Sequence, residues 1–169
     1  MVCMPATRSQ STRRFDSLEQ QAYLNLWRTY DRLRALEDQM FESHGITAQQ
    51  YNALRLLEAR FPSALPTLQL ARRLISRAPD ITRMVDRMAK RGWVTRERSA
   101  ENRRVVHVRI TGAGRQLLRR LAAEVVDCHK RQLGHLSPTK LRRLIGLLAE
   151  ARQPHEPLTS PWRHSLEDC

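Results

Sequence analysis

Apolar residues recur every three or four positions from the eighteenth residue onward, with Leu18, Ala22, Leu26, Tyr30, Leu33, Leu36 and Met40 in one stripe. That spacing predicts a long amphipathic helix, opened by Asp16 with Glu19 three residues later and ending near His44-Gly45. Thr47-Ala48-Gln49-Gln50 has the form of a capping box and predicts a second helix, whose apolar side is Tyr51, Leu54, Leu57 and Phe61. The stretch "PSALP" (62–66) breaks it. From Pro66, "PTLQLARRLI" predicts a short third helix with Leu70, Ala71 and Leu74 inward, and "SRAP" interrupts the pattern before "DITRMVDRMAKRGW". In that fourth helix Pro79 suits the first turn, where no N–H is required. Ile81, Met84, Val85 and Met88 share one face, Asp80, Arg83 and Arg87 the other, and Gly92 ends the helix.

The period then changes. Val106, Val108 and Ile110 alternate with His107 and Arg109, which predicts a strand with one buried and one basic face. "GWVTRER" (92–98) reads as its partner and "SAEN" (99–102) as the turn, giving a β-hairpin tipped by Asn102-Arg103-Arg104. Thr111 caps a fifth helix carrying Leu117, Leu118, Leu121, Val125 and Val126, and Ser137-Pro138 opens a sixth with Leu141, Leu144, Ile145 and Leu148. Residues 1–15 and 153–169 show no period and are expected to be a disordered basic arm and an extended tail. Two short helices joined by a tight break, the second basic on its outer face, have the form of a helix-turn-helix.

Charge sharpens this picture. The 169-residue chain has a net charge of +13 and a pI of about 11.2, which favours a polyanionic partner. Between Arg72 and Arg109 stand twelve basic residues and four acids, so +8 of the +13 lies on the third helix, the fourth helix and the hairpin. A bias toward arginine explains why lysine occurs only at Lys90, Lys130 and Lys140, but it does not explain the clustering. No apolar run approaches the ~20 residues that span a bilayer, and "MVCMPATRSQSTRR" lacks the apolar stretch of a secretory signal, so no membrane partner and a cytoplasmic location are expected. Cys3, Cys128 and Cys169 are odd in number and far apart, which argues for reduced thiols. His107, His129 and His135 have no ligand spacing, so neither metal nor cofactor is expected.

With the motifs in hand, the chain resembles the MarR family of bacterial transcriptional regulators. The resemblance rests on "ITAQQYNALRLL" (46–57), "LQLARRL" (68–74), "DITRMVDRMAKRGWVTRE" (80–97) and "NRRVVHVRITGAGRQLL" (102–118), and covers roughly residues 18–152. Thr82, Arg83 and Asp86 match the family's recognition helix, Gly92 and Val94 the turn into the wing, and Arg104, Thr111 and Gly114 the wing and its exit. Ile110 stands for the usual leucine and Asn102 for the usual aspartate. The resemblance implies a mainly α fold with a small β-hairpin wing. Its parts would be a first dimerisation helix (16–46), a winged helix-turn-helix lobe (47–112, with its recognition helix about 78–91 and wing about 93–110) and C-terminal dimerisation helices (113–152).

On that reading Ser76, Arg77, Asp80, Thr82, Arg83, Arg87, Arg103 and Arg104 are the candidate contacts to double-stranded DNA. Arg83 would read a base edge in the major groove, and Arg104 would probe the minor groove, where charge and width matter more than base identity. The resemblance also implies a homodimer and a small-molecule effector at the junction of the lobes, for which Trp27, Tyr30, Arg34, His44 and Tyr51 are the candidates. The function expected is that of a ligand-responsive repressor on a pseudo-palindromic operator. The alternatives are a thiol-based redox sensor on the same fold and, more remotely, a small enzyme or a structural helical dimer. An enzyme is disfavoured because the chain has no Gly-x-Ser-x-Gly, no His-Glu-x-x-His and no phosphate loop.

Overall fold

The computed structural model describes residues 15–76, 80–158, 160 and 162. Residues 1–14 of the expected basic arm, Arg77 and Pro79 therefore lie outside the described residues, as does most of the tail. Among the described residues the elements run α1 (Leu18–Glu42), α2 (Ala48–Glu58), β1 (Leu65–Pro66), α3 (Thr67–Arg73), α4 (Ile81–Lys90), β2 (Val94–Arg98), β3 (Val106–Ile110), α5 (Gly112–Leu133) and α6 (Pro138–Arg152). Two compact units divide the chain, one up to Ala35 and one from Leu36 onward.

In the second unit, local chemistry sets each helix start. The Thr47 hydroxyl accepts from the Gln50 backbone N–H and the Gln50 side chain accepts from the Thr47 N–H, completing the predicted capping box of α2. Asp80 caps α4, Thr111 caps α5 and Ser137 caps α6, each by a side-chain oxygen accepting a backbone N–H three residues on. Such caps stabilise a helix by about 1 kcal/mol each. Gly92 ends the α4 turn at φ +72°, a left-handed conformation that side chains resist.

The core of this unit draws on α2 to α5 and the sheet. Leu54 and Leu57 of α2, Leu70 of α3, Val85 and Met88 of α4, Val108 of β3 and Leu121 of α5 are all fully buried. The sheet is antiparallel with strand order β1-β3-β2. Val94 pairs with Ile110 and Arg96 with Val108, so the apolar residues of both strands fall on the core side.

Four details depart from the pattern of the sequence. The sheet has a third strand, β1, whose Leu65 pairs with Val108 and Pro66 with His107. Two residues are too few to show a period, and the flanking prolines read as a break. Phe61 is exposed rather than inward, because α2 ends at Glu58 and turns the chain outward; its ring instead lies 4.1 Å from the Arg115 guanidinium. Val126 is exposed while Leu121, Val125 and Cys128 are buried, since it sits one helical step round from that stripe. The tail also begins with a 3-10 turn at Gln153–His155 instead of an extended segment, with Arg152 Nε 3.5 Å from Glu156 Oε1 beneath it.

Two helices carry exposed apolar residues among the described residues. In the first unit Leu18, Tyr23, Leu26, Trp27 and Tyr30 of α1 are exposed. In the second, α6 buries no residue at all, and Ile145, Leu147 and Leu148 face solvent.

Candidate nucleic-acid interface

α4 presents two opposite faces. Met84, Val85 and Met88 are buried, while Thr82, Arg83 and Arg87 on the far side are exposed. The core therefore fixes the helix from behind and leaves its basic face outward. Asp80 sits at the N-terminus, with one carboxylate oxygen accepting the Arg83 backbone N–H at 2.9 Å and the other 3.2 Å from Arg83 Nε. Ser76, just before the described gap, is exposed and its hydroxyl accepts from Gln49 Nε2 at 3.2 Å. The neighbouring Ile75 N–H donates to Asn52 Oδ1 at 3.1 Å. α2 thus holds the chain between α3 and α4 by two side-chain bonds. Neither glutamine nor asparagine had a sequence signal beyond its place on the polar side of α2.

The wing is tied to the same frame. Arg96 of β2 is paired with Asp86 of α4, joining strand and helix. Counting charge alone does not distinguish Arg96 from its neighbours, although the spacing of Asp86 after Arg83 marks one half of the pair. Thr67 Oγ1 donates to the Val106 carbonyl at 2.9 Å, which ties the start of α3 to β3. At the exit, the Thr111 hydroxyl donates to the Gly92 carbonyl and accepts from the Gly114 N–H. A Cβ on Gly114 would stand 2.3 Å from the Trp93 carbonyl oxygen, so glycine lets α5 start directly against the β2 entry.

At the tip, Asn102 Oδ1 accepts the Arg104 backbone N–H at 3.0 Å, and the Val105 N–H donates to the Asn102 carbonyl at 2.8 Å. Asparagine therefore closes the turn that the usual aspartate would close, since both carry the same acceptor oxygen. Arg103 and Arg104 are exposed on it. Between α4 and the wing lies a cleft of about 290 Å³, lined by Ile81, Val85 and Val106 and by Thr82, Arg96 and Arg104. Thr82, Arg83, Arg87, Arg103 and Arg104 thus share one basic frame with Asp80 at its edge, while Arg77 lies outside the described residues.

The five effector candidates divide between the two units. Trp27, Tyr30 and Arg34 are exposed on α1, with Trp27 ringed by Tyr23 at 6.1 Å between centroids. In the second unit His44 Nε2 is 2.9 Å from Glu124 Oε2. Tyr51 is half-buried and packs on Phe41, with centroids 4.9 Å apart, so it belongs to the edge of the core. Cys128 is fully buried, and burial pushes its thiol pKa up, with Glu37 adding to the rise and Arg131 opposing it. A thiol whose charged form is disfavoured is a poor nucleophile toward oxidants. Cys3 and Cys169 lie outside the described residues.

Together these features define a winged helix-turn-helix protein, and comparison with known proteins identifies which kind. Residues 46–106 match the MarR family model. A solved MarR transcription factor from Planctomyces limnophilus is 55% identical, with 80% of this chain and 98% of that one covered at a TM-score of 0.66. The HTH-type transcriptional regulator PecS of Dickeya dadantii (strain 3937) is 30% identical over 117 residues, 67% of this chain and 70% of that protein. The transcriptional repressor MprA of Escherichia coli (strain K12) is 29% identical over 107 residues, 63% of this chain, and the match spans 61% of the repressor's length. The chain belongs to the MarR family.

Proposed function

We propose that this chain is a cytoplasmic, DNA-binding transcriptional regulator that binds a pseudo-palindromic operator as a homodimer and acts as a ligand-responsive repressor. One observation carries the reading: a helix buried on one face exposes Arg83 and Arg87 on the other, and a wing tied to that helix through Arg96–Asp86 exposes Arg103 and Arg104. An α-helix fits the major groove, and arginine suits both guanine edges and phosphate. The relatives PecS and MprA are named for transcriptional regulation and repression, which supports a regulator over a catalyst. The cytoplasmic setting agrees with the finding that no helix among the described residues is long and apolar enough to cross a membrane.

Thr82 and Ser76 are assigned to phosphate, Arg83 to a base edge and Arg104 to the minor groove. The uncovered apolar faces of α1 and α6 support the dimer, because two wings related by a two-fold axis match an inverted repeat. The exposed aromatic pair Trp27 and Tyr30 supports an effector site on α1 that is completed in the dimer. A redox-sensing role through Cys128 is disfavoured by its burial. Selection of bound duplexes from a random pool tests the reading: an enriched inverted repeat, with binding that weakens steeply as salt rises, is the expected result. Recovery of no preferred sequence would overturn it.

A further inference from the structure

Asp80 is an odd residue for a surface that must approach phosphates, because its charge repels them. Its geometry explains why it is there. Both carboxylate oxygens are spent on one residue: Oδ1 accepts the Arg83 backbone N–H at 2.9 Å, and Oδ2 lies 3.2 Å from Arg83 Nε. The Arg83 side chain is otherwise 80% exposed, so without a partner its long stem would sample many rotamers. The ion pair is made at Nε, and a guanidinium has besides it a terminal edge with two parallel N–H groups. With Nε held by the carboxylate, that edge is the one left to donate to guanine O6 and N7 together. Arg87, one turn further along the same face, has no ion pair among the described residues, which suits a phosphate contact of looser geometry.

We infer that Asp80 is a positioning residue for base readout: it holds Arg83 in the orientation that selects guanine and touches no base itself. The inference rests on the proposed function and adds the base that the Arg83 position selects. It also predicts two effects of opposite sign. Losing the carboxylate should reduce discrimination, because Arg83 is no longer preorganised. The same loss should raise affinity for unrelated DNA, because one negative charge leaves a surface that faces phosphates.

The test uses the full chain and the duplex recovered by selection, with all four bases placed in turn at the position where Arg83→Ala relaxes preference. Asp80→Asn keeps the capping oxygen but replaces the acceptor beside Nε with an NH2 group, and asparagine caps as well as aspartate. The wild type should favour guanine there by roughly 5- to 150-fold, the range of a good bidentate pair. Asp80→Asn should lower that preference by about fivefold, bind unrelated DNA more tightly, and remove no further discrimination when combined with Arg83→Ala. Asp80→Ser, which caps with a hydroxyl and cannot reach Nε in the same way, should behave alike and guards against a folding defect in the first variant. Full discrimination in both variants would overturn the inference, as would a loss that falls at a different base pair, which would make Asp80 a direct reader. A wild type with no base preference anywhere would overturn the proposed function along with it.

Discussion

α4 and α6 are both amphipathic helices of the same unit, yet they end in opposite states. α4 is 10 residues long and buries Met84, Val85 and Met88, while α6 is 15 residues long and buries none. The shorter helix is the finished one. Its apolar face has met α3 and the sheet, so its polar face is free to be chemical. The longer helix still exposes Ile145, Leu147 and Leu148, so its apolar face is the part awaiting a partner. A stripe of spacing three and four therefore announces only that something covers it. Whether the cover belongs to the same chain or to a second copy is decided by how much other surface the fold can supply.

The largest effect should come from breaking the unfinished side. An obligate homodimer interface typically buries about 2,000 Å² or more, and two charges placed in it would go uncompensated. Ile145→Asp combined with Leu148→Asp should convert the dimer to a monomer by sedimentation. It should also lower affinity for a two-half-site operator by at least about a hundredfold, since each wing then binds alone. A dimer that survives this pair of changes would remove α6 from the interface. On the finished side, Leu57→Ala should cost about 2–5 kcal/mol of unfolding free energy, because a fully buried leucine leaves a cavity as well as lost transfer energy. Denaturant unfolding measures it, and a cost under about 1 kcal/mol would show that this core relaxes freely.

These contrasts show how far the sequence could be read. Capping chemistry was legible at Thr47, Thr111 and Ser137 because a hydroxyl three residues ahead of a free N–H is a local arrangement that spacing reveals. Met84, Val85 and Met88 were legible for the same reason. β1 was not, since Leu65 becomes a strand residue through its pairing with Val108, more than forty residues away. Phe61 shows the reverse failure: its position continues the α2 stripe, but the helix stops before reaching it. At the interface, the residue types were legible and their ties were not. Arg96 is one arginine among many in the sequence, and only folding brings it to Asp86.

A smaller effect separates the wing from the helix it serves. Arg104 is exposed and contributes charge without base code, so Arg104→Ala should weaken binding to most sequences alike, by about tenfold. It should also reduce the salt slope by about one unit per protomer if one phosphate-equivalent contact is lost. Fluorescence anisotropy at several salt concentrations reads both quantities. Loss of affinity for one sequence only would place Arg104 in base readout and erase the division of labour between wing and helix.

The smallest effect is expected at Asn102, and it tests what holds the wing tip in place. The Asn102 side chain already accepts the Arg104 backbone N–H at 3.0 Å, and the Ser99 N–H donates to the Val105 carbonyl at 2.9 Å across the loop. Asn102→Asp keeps the acceptor oxygen, so the turn should persist. What changes is one unit of charge beside Arg103 and Arg104. Attraction to those guanidinium groups favours an ordered tip, whereas repulsion from phosphate opposes binding, and each is an exposed interaction worth about 0.2–1 kcal/mol. With opposite signs they should nearly cancel, leaving operator affinity within about threefold of wild type. The two contributions separate with salt, which screens the longer phosphate distance before the contact within the loop. Asn102→Asp should therefore bind relatively better as salt rises, and when Arg104 is alanine the substitution should be unfavourable at low salt, because part of the attraction within the loop is gone while the repulsion from phosphate remains. A change of tenfold or more in either direction would show that the asparagine oxygen is not what sets the tip.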